Sequence, residues 1–270
     1  RFNMKIYTLI ILSLSISNLF SLDLEKPKIY KDQNISGWHM SEKLDGIRAY
    51  WNTKELLTKN GNKIYTPKNF TKNFPPFKLD GELWTKRNDF ENIQNIVLDK
   101  TPSKKWNEIT YNIFEAPNSK GDFRQRLSKV KKWFILNKNH RVKIIKQQIC
   151  KNKKHLDIFL EKIVNIKGEG VIIKNPNLLY INKRNKNSLK VKKFYDMEGV
   201  VISINYNKNI MKSLNLKIRN NIIFKLGGGF SQKQRINHPK IGDTITFKYY
   251  SLTKNGKPKF ASFLRVRKEE

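Results

Sequence analysis

Apolar residues recur in two rhythms along this chain. Short runs alternate with period two, as half-buried strands do, and two longer runs repeat at helical spacing. Ile47–Trp51 and residues 77–84 and 109–114 read as strands. Thr58-Lys-Asn-Gly61 reads as a turn between strands, since Asn-Gly is a strong hairpin signal. Asp89 stands where an N-cap would open a helix through Leu98. Phe123–Leu136 puts Leu127, Val130 and Phe134 on one face. Residues 155–166 do the same with Leu156, Phe159, Leu160 and Ile163, so both segments read as amphipathic helices. Gly168 then breaks the pattern, and Glu169-Gly-Val-Ile-Ile-Lys174 reads as a buried strand. Helices mixed with strands of this kind point to an α+β domain with antiparallel sheets.

The rhythm changes near Phe194. Residues 199–204, 222–226 and 260–266, with Thr244–Tyr249, read as short strands. Gly227-Gly-Gly229 and Asn255-Gly256 mark turns. No Gly-Lys-Ser/Thr follows the glycine run, so it is not a P-loop but a tight turn between strands. Such a segment suits a small all-β barrel, of which the OB-fold is the common nucleic-acid-binding kind. The expected layout is residues 22–193 as the α+β domain and 194–270 as the barrel. Ahead of both, Met4 reads as the initiator, Lys5 as a positive flank, and residues 6–22 as an apolar run softened by serines. That is the pattern of a secretory signal peptide covering residues 1–21, with a membrane helix as the alternative.

Charge narrows the partners. The 270 residues carry 55 Lys and Arg against 22 Asp and Glu, a formal net charge of +33. An excess of this size implies a polyanion, either nucleic acid or an anionic membrane surface. An AT-rich genome, which favours Lys and Asn codons, would give part of the same bias. The hydrophobic share of 38% allows a packed core and excludes global disorder. Cys150 is the one cysteine, so no internal disulfide forms, and no Cys/His cluster has zinc-site spacing.

The chemistry gathers at Ser41-Glu-Lys-Leu-Asp-Gly-Ile-Arg48. A lysine becomes a nucleophile once its amine is neutral. A glycine lets backbone approach a ligand closely, and an arginine can grip phosphate or sugar oxygens. Alone, K-x-D-G-x-R also fits a surface hairpin of mixed charge. Further stretches follow it in order: Leu-Asp-Gly-Glu-Leu at 79–83, Phe114-Glu115, the segment from Glu169 to Lys174, Leu-Lys-Val-Lys-Lys at 189–193, and Phe-Ala-Ser-Phe-Leu-Arg-Val-Arg at 260–267.

This series resembles the motifs of the covalent nucleotidyltransferases, which include DNA ligases, RNA ligases and mRNA capping enzymes. The likeness is greatest to the minimal ATP-dependent DNA ligases that bacteria export to the periplasm, and it runs from Trp38 to Arg267. It implies an adenylation domain followed by an OB-fold domain, with ATP and Mg²⁺ (or Mn²⁺) as cofactors. It implies nicked duplex DNA as the partner, a monomer with no stable protein partner, and periplasmic localisation. Lys43 is then the residue that carries AMP. Arg48 and Glu82 hold the ribose, Phe114 stacks on adenine, and Glu42 reads the adenine edge. Lys174, Lys190 and Lys192 contact phosphate, Glu169 is the metal-linked carboxylate, and Arg265 and Arg267 orient the pyrophosphate. Lys190 and Lys192, two apart in a strand, would share a face and favour the neutral form of Lys43. Lys59, Arg87 and Arg184 are the expected contacts to nucleic acid. Lys59 stands where the family usually has arginine, losing bidentate phosphate geometry. Glu115 stands where an aspartate often follows the aromatic. Two readings compete: an RNA ligase or capping-type transferase, and a non-catalytic basic DNA-binding protein of the cell envelope.

Overall fold

The computed structural model describes residues 22–267. The expected signal peptide at residues 1–21 lies outside them. Compactness divides the chain into two interleaved units. Among the described residues one holds 22–26, Asp45–Ile145 and Pro176–Lys186; the other holds Pro27–Leu44, Lys146–Asn175 and 187–267.

The first unit is built on a five-stranded sheet in the order Leu56–Thr58, Ile47–Trp51, Leu79–Trp84, Thr110–Glu115, Val142–Ile144. Its pairs are antiparallel except the last, which is parallel. Alternation puts Ala49, Trp51, Leu79, Leu83, Tyr111 and Ile113 into one core with Ile93, Ile96 and Val97 of the Phe90–Val97 helix. Tyr111, wholly buried, donates its hydroxyl to the Ala49 carbonyl at 3.0 Å. The helix Phe123–Leu136 has the predicted bounds, and Asp122 caps it with a reciprocal Gln125 bond. Asp89 occupies the N-cap position of the other helix but does not cap it through its side chain. Its carboxylate instead accepts from Thr85 Oγ1 at 2.6 Å and Asn92 Nδ2 at 3.0 Å. Burial would raise this carboxyl, and those two bonds hold it below its usual value.

The second unit has two sheets. One runs Lys26–Ile29, Arg184–Val191, Gly170–Lys174, His39–Lys43, Gln148–Ile149. The Lys153–Asn165 helix backs it, sharing a core of Met40, Cys150, Leu156, Ile163, Val171, Ile173 and Leu189. The other runs Ile223–Leu226, Ile210–Lys217, Tyr195–Asn207, Thr244–Tyr249, Ser262–Val266, antiparallel throughout. A two-stranded hairpin, Ser251–Leu252 with Pro258–Lys259, accompanies it.

Three expectations for this half change. The sheet is open, not a closed barrel: its outer strands are not neighbours in the hydrogen-bonded order. It is not all-β, because Ser231 caps a short helix, Gln232–Ile236, through a capping box that strand periodicity does not reveal. The glycine run at 227–229 therefore leads from a strand into that helix, not into the next strand. Among the described residues no helix is long and apolar enough to cross a membrane.

Candidate active site

Lys43 is the last residue of the His39–Lys43 strand and lies opposite Gly170 in the antiparallel ladder. Gly170 brings two segments unusually close. A Cβ there would lie 2.3 Å from the Val191 carbonyl oxygen, and its φ is +156°. Glu169, just before it, is thereby set beside Lys192, just after Val191. One carboxylate meets two ammonium groups: Lys43 Nζ on Glu169 Oε2 and Lys192 Nζ on Glu169 Oε1. The three side chains are 26%, 17% and 20% exposed, so the cluster is screened from bulk water yet reachable. With all three ionised it keeps one unit of positive charge, an arrangement suited to an incoming anion.

The remaining predicted residues of this unit sit around the same strands. Glu42 pairs with Val171, and its Oε1 would lie 3.0 Å from a Cβ at Gly168. Lys174 is buried, opposite His39 and Ser188. Lys190 lies in the ladder opposite Ile172. The strand ends at Val191, so Lys192 is past it, and the shared-face argument from two-residue spacing does not apply. Lys192 meets Glu169 because of the close approach at Gly170 instead.

The first unit carries a second constellation. Arg48 and Glu82 are direct cross-strand partners. Arg48 is gripped from behind: Nε donates to Asp80 Oδ1 at 2.9 Å, Nη2 to Asp80 Oδ2 at 2.5 Å, and Nη1 to the Glu25 carbonyl at 2.9 Å. Its Cζ lies 5.5 Å from the centre of the Phe114 ring. Burial alone would lower this guanidinium, and Asp80 overrides it, holding it above its ordinary value. Gly46 allows the tight entry to this strand, since a Cβ there would meet the Leu83 carbonyl oxygen at 2.3 Å.

Sequence reasoning missed Asp80, Glu25 and Tyr180. Asp80 had a signal: it alternates with Glu82 in one strand, so both carboxylates share a face. Glu25 and Tyr180 had none, being joined across the fold by a bond from Glu25 N to Tyr180 Oη at 3.0 Å. Burial raises the Tyr180 phenol well above its ordinary value, with Asp80 adding to it. The departure at Glu115 also finds its reason. Arg126 grips it with Nε to Oε1 at 2.7 Å and Nη2 to Oε2 at 3.0 Å. Its third nitrogen, Nη1, donates to the Gly121 and Leu178 carbonyls.

A family profile described as "ATP dependent DNA ligase domain" matches residues 26–192, and one described as "DNA ligase OB-like domain" matches residues 205–267. The chain belongs to the ATP-dependent DNA ligases. A DNA ligase of Haemophilus influenzae is 40% identical over 270 residues, covering 98% of this ligase and 100% of that chain. A Lig E DNA ligase structure, described as DNA binding with a minimal scaffold, superposes with a TM-score of 0.85 at 39% identity. It covers 90% of this ligase and 98% of that chain. The Chlorella virus DNA ligase-adenylate shares the fold, with a TM-score of 0.55 at 21% identity, covering 90% and 98%. The reaction is therefore ATP-dependent sealing of DNA nicks by an adenylation domain and an OB-fold domain, and the capping and non-catalytic readings fall away.

The ligase's expected DNA contacts lie on three separate elements. Lys59 is in the turn after Leu56–Thr58, Arg87 follows the Leu79–Trp84 strand, and Arg184 opens the Arg184–Val191 strand. Arg265 and Arg267 are exposed near the chain's end. A bulge shifts register there: Thr246 pairs with Arg265 while Phe247 pairs with Phe263. Without it, Arg265 would share the buried face of Phe263. Arg267 lies just past the strand and donates to Glu198 Oε2 at 2.6 Å. Among the described residues no three Asp, Glu, His or Cys gather to cage a metal ion. Glu169 faces Lys43 and Lys192, and a carboxylate so placed suits an ion held mainly by phosphate oxygens and water.

Proposed function

We propose that this ligase works through a lysyl-AMP intermediate on Lys43, and the carrying observation is the Glu169 carboxylate shared between Lys43 and Lys192. Lys43 Nζ, as the neutral amine, attacks the α-phosphorus of ATP. A P–N bond forms and pyrophosphate leaves. The 5′-phosphate oxygen at a nick then attacks the same phosphorus, freeing Lys43 and making a DNA–adenylate pyrophosphate linkage. The 3′-hydroxyl attacks the DNA phosphorus, a phosphodiester forms, and AMP leaves. Chemistry of this kind rests on positioning and on neutralising negative charge.

The side chains divide the tasks in this reading. Glu169 accepts the proton that the Lys43 ammonium gives up as the amine attacks. Lys192, with Lys174 and Lys190, meets phosphate oxygens. Arg48, preset by Asp80, holds the ribose with Glu82, and Phe114 stacks on the base, with Glu42 at the adenine edge. Arg265 and Arg267 orient the departing pyrophosphate. Glu169 would also hold Mg²⁺ or Mn²⁺, and such an ion when bound neutralises phosphate charge. Lys59, Arg87 and Arg184 grip nicked duplex DNA, bound by a monomer. The apolar run at 6–22 supports export to the periplasm, and the change of rhythm near Phe194 supports a boundary at 193/194 between the two sequence domains.

The deciding experiment incubates the ligase with α-labelled ATP or GTP. Covalent label from ATP, absent in Lys43→Ala, is expected; wild-type labelling of that variant would sink the assignment. DNA binding through phosphates predicts an affinity that falls with salt at a log–log slope of about −0.9 per contact. Binding to nicked duplex that ignores salt would contradict it. Cell fractionation tests export.

A further inference from the structure

Lys192 is held from more than the carboxylate side. The rings of Tyr250 and Phe260 lie 5.6 and 5.4 Å from its Nζ, measured to their centres, within cation–π reach. One hairpin presents both rings. Ser251 pairs with Lys259, and Tyr250 N donates to the Lys259 carbonyl at 3.2 Å. Tyr250 and Phe260 therefore leave the open end of the hairpin side by side. Its tip is fixed tightly: Gly256 has φ +72°, and a Cβ there would come within 2.8 Å of Ile222 Cδ1.

Phe260 is a poor fit to a packing role. It is 73% exposed, so its ring returns little from burial. Its φ is +56°, a left-handed backbone that bulky residues rarely adopt and that costs energy. The same conformation brings the ring to the Lys192 ammonium.

We infer that Tyr250 and Phe260 are positioning residues that hold the Lys192 ammonium beside Glu169 without neutralising it. The inference rests on Lys192 being a phosphate contact for the nucleoside triphosphate. Glu169 is already shared with Lys43, so it cannot hold Lys192 alone with full strength. A second carboxylate would hold it but would cancel the charge that the α-phosphate must meet. An aromatic face attracts the ammonium through its quadrupole and leaves that charge intact.

The test measures single-turnover self-adenylation against ATP concentration in full-length protein. Phe260→Leu is expected to raise the half-saturating ATP concentration by about three- to tenfold, with an unchanged unfolding midpoint. Tyr250→Leu should shift it the same way. Phe260→Tyr keeps the ring and should restore wild-type behaviour. In a Lys192→Ala background, Phe260→Leu should cost nothing further. Equal losses in both backgrounds, failure of Phe260→Tyr to restore, or no effect of Phe260→Leu on wild type would overturn the inference. Wild-type adenylation by Lys192→Ala would instead bring down the phosphate-contact reading beneath it.

Discussion

Glu115 and Glu169 are two glutamates with opposite surroundings. Glu115 and Arg126 are each 1% exposed, and their two parallel bonds are completed by the Ala116 N–H on the carboxylate and two carbonyls on the guanidinium. Each guanidinium nitrogen there has an acceptor, and the pair is closed off from a ligand. Glu169 is 17% exposed and divided between two lysines, with positive charge left over. The first arrangement ties the segment after a strand to a helix. The second cannot be optimal for stability, because lysines held together repel and a single carboxylate serves both. A closed ion pair therefore serves structure here, and an unbalanced, half-open one is what the proposed site is built on.

Four substitutions would break or sharpen this contrast. Lys43→Ala should reduce self-adenylation by more than about 10⁴-fold, as loss of a nucleophile does, while unfolding and DNA affinity stay at wild type. Arg126→Leu should do the reverse in kind. It strands a buried carboxylate and should cost about 3–5 kcal/mol in urea unfolding, with Glu115→Leu in the same chain recovering most of it. Glu169→Gln keeps shape and hydrogen bonding but not charge. Sealing should fall by about 10²–10³-fold, with unfolding changed by less than about 0.5 kcal/mol. If instead Glu169→Gln unfolds as readily as Arg126→Leu, the contrast fails. The smallest effect is a control. Asn152 caps the Lys153–Asn165 helix by accepting from His155 N at 2.9 Å. Asn152→Ala should cost about 1 kcal/mol in unfolding and leave the adenylation chemistry alone.

What could be read in advance follows from distance along the chain. The helix Phe123–Leu136 and the strand Thr244–Tyr249 have the bounds their periodicity implies, because core-facing residues repeat within a few positions. The Lys43 motif stood out for a different reason, as a run of chemistry-bearing residues in a known order, and its role remains the proposal made above. Non-local placement was not legible. Nothing near Glu115 in sequence says that Arg126 will be buried with it, or that Gly170 will draw Lys192 past its strand to Glu169. Phe260 looked like the start of a strand, yet it takes a left-handed backbone outside Ser262–Val266. The bulge that turns Arg265 outward is likewise a property of a paired ladder, invisible in a single strand's alternation.

The placing of Lys43 also has a meaning for the timing of synthesis. Its carboxylate partner is 126 residues downstream, and its strand pairs only with Gly170–Lys174 and Gln148–Ile149. A nascent or truncated chain that stops before Glu169 contains the lysine but lacks Gly170–Lys174, the strand opposite it, and the charge that faces it. Such long-range pairing is slow to form, since loop closure precedes any gain from contact. On the role proposed for Lys43, a chain that has not yet delivered Glu169 and Lys192 would carry the nucleophile without the groups that surround it.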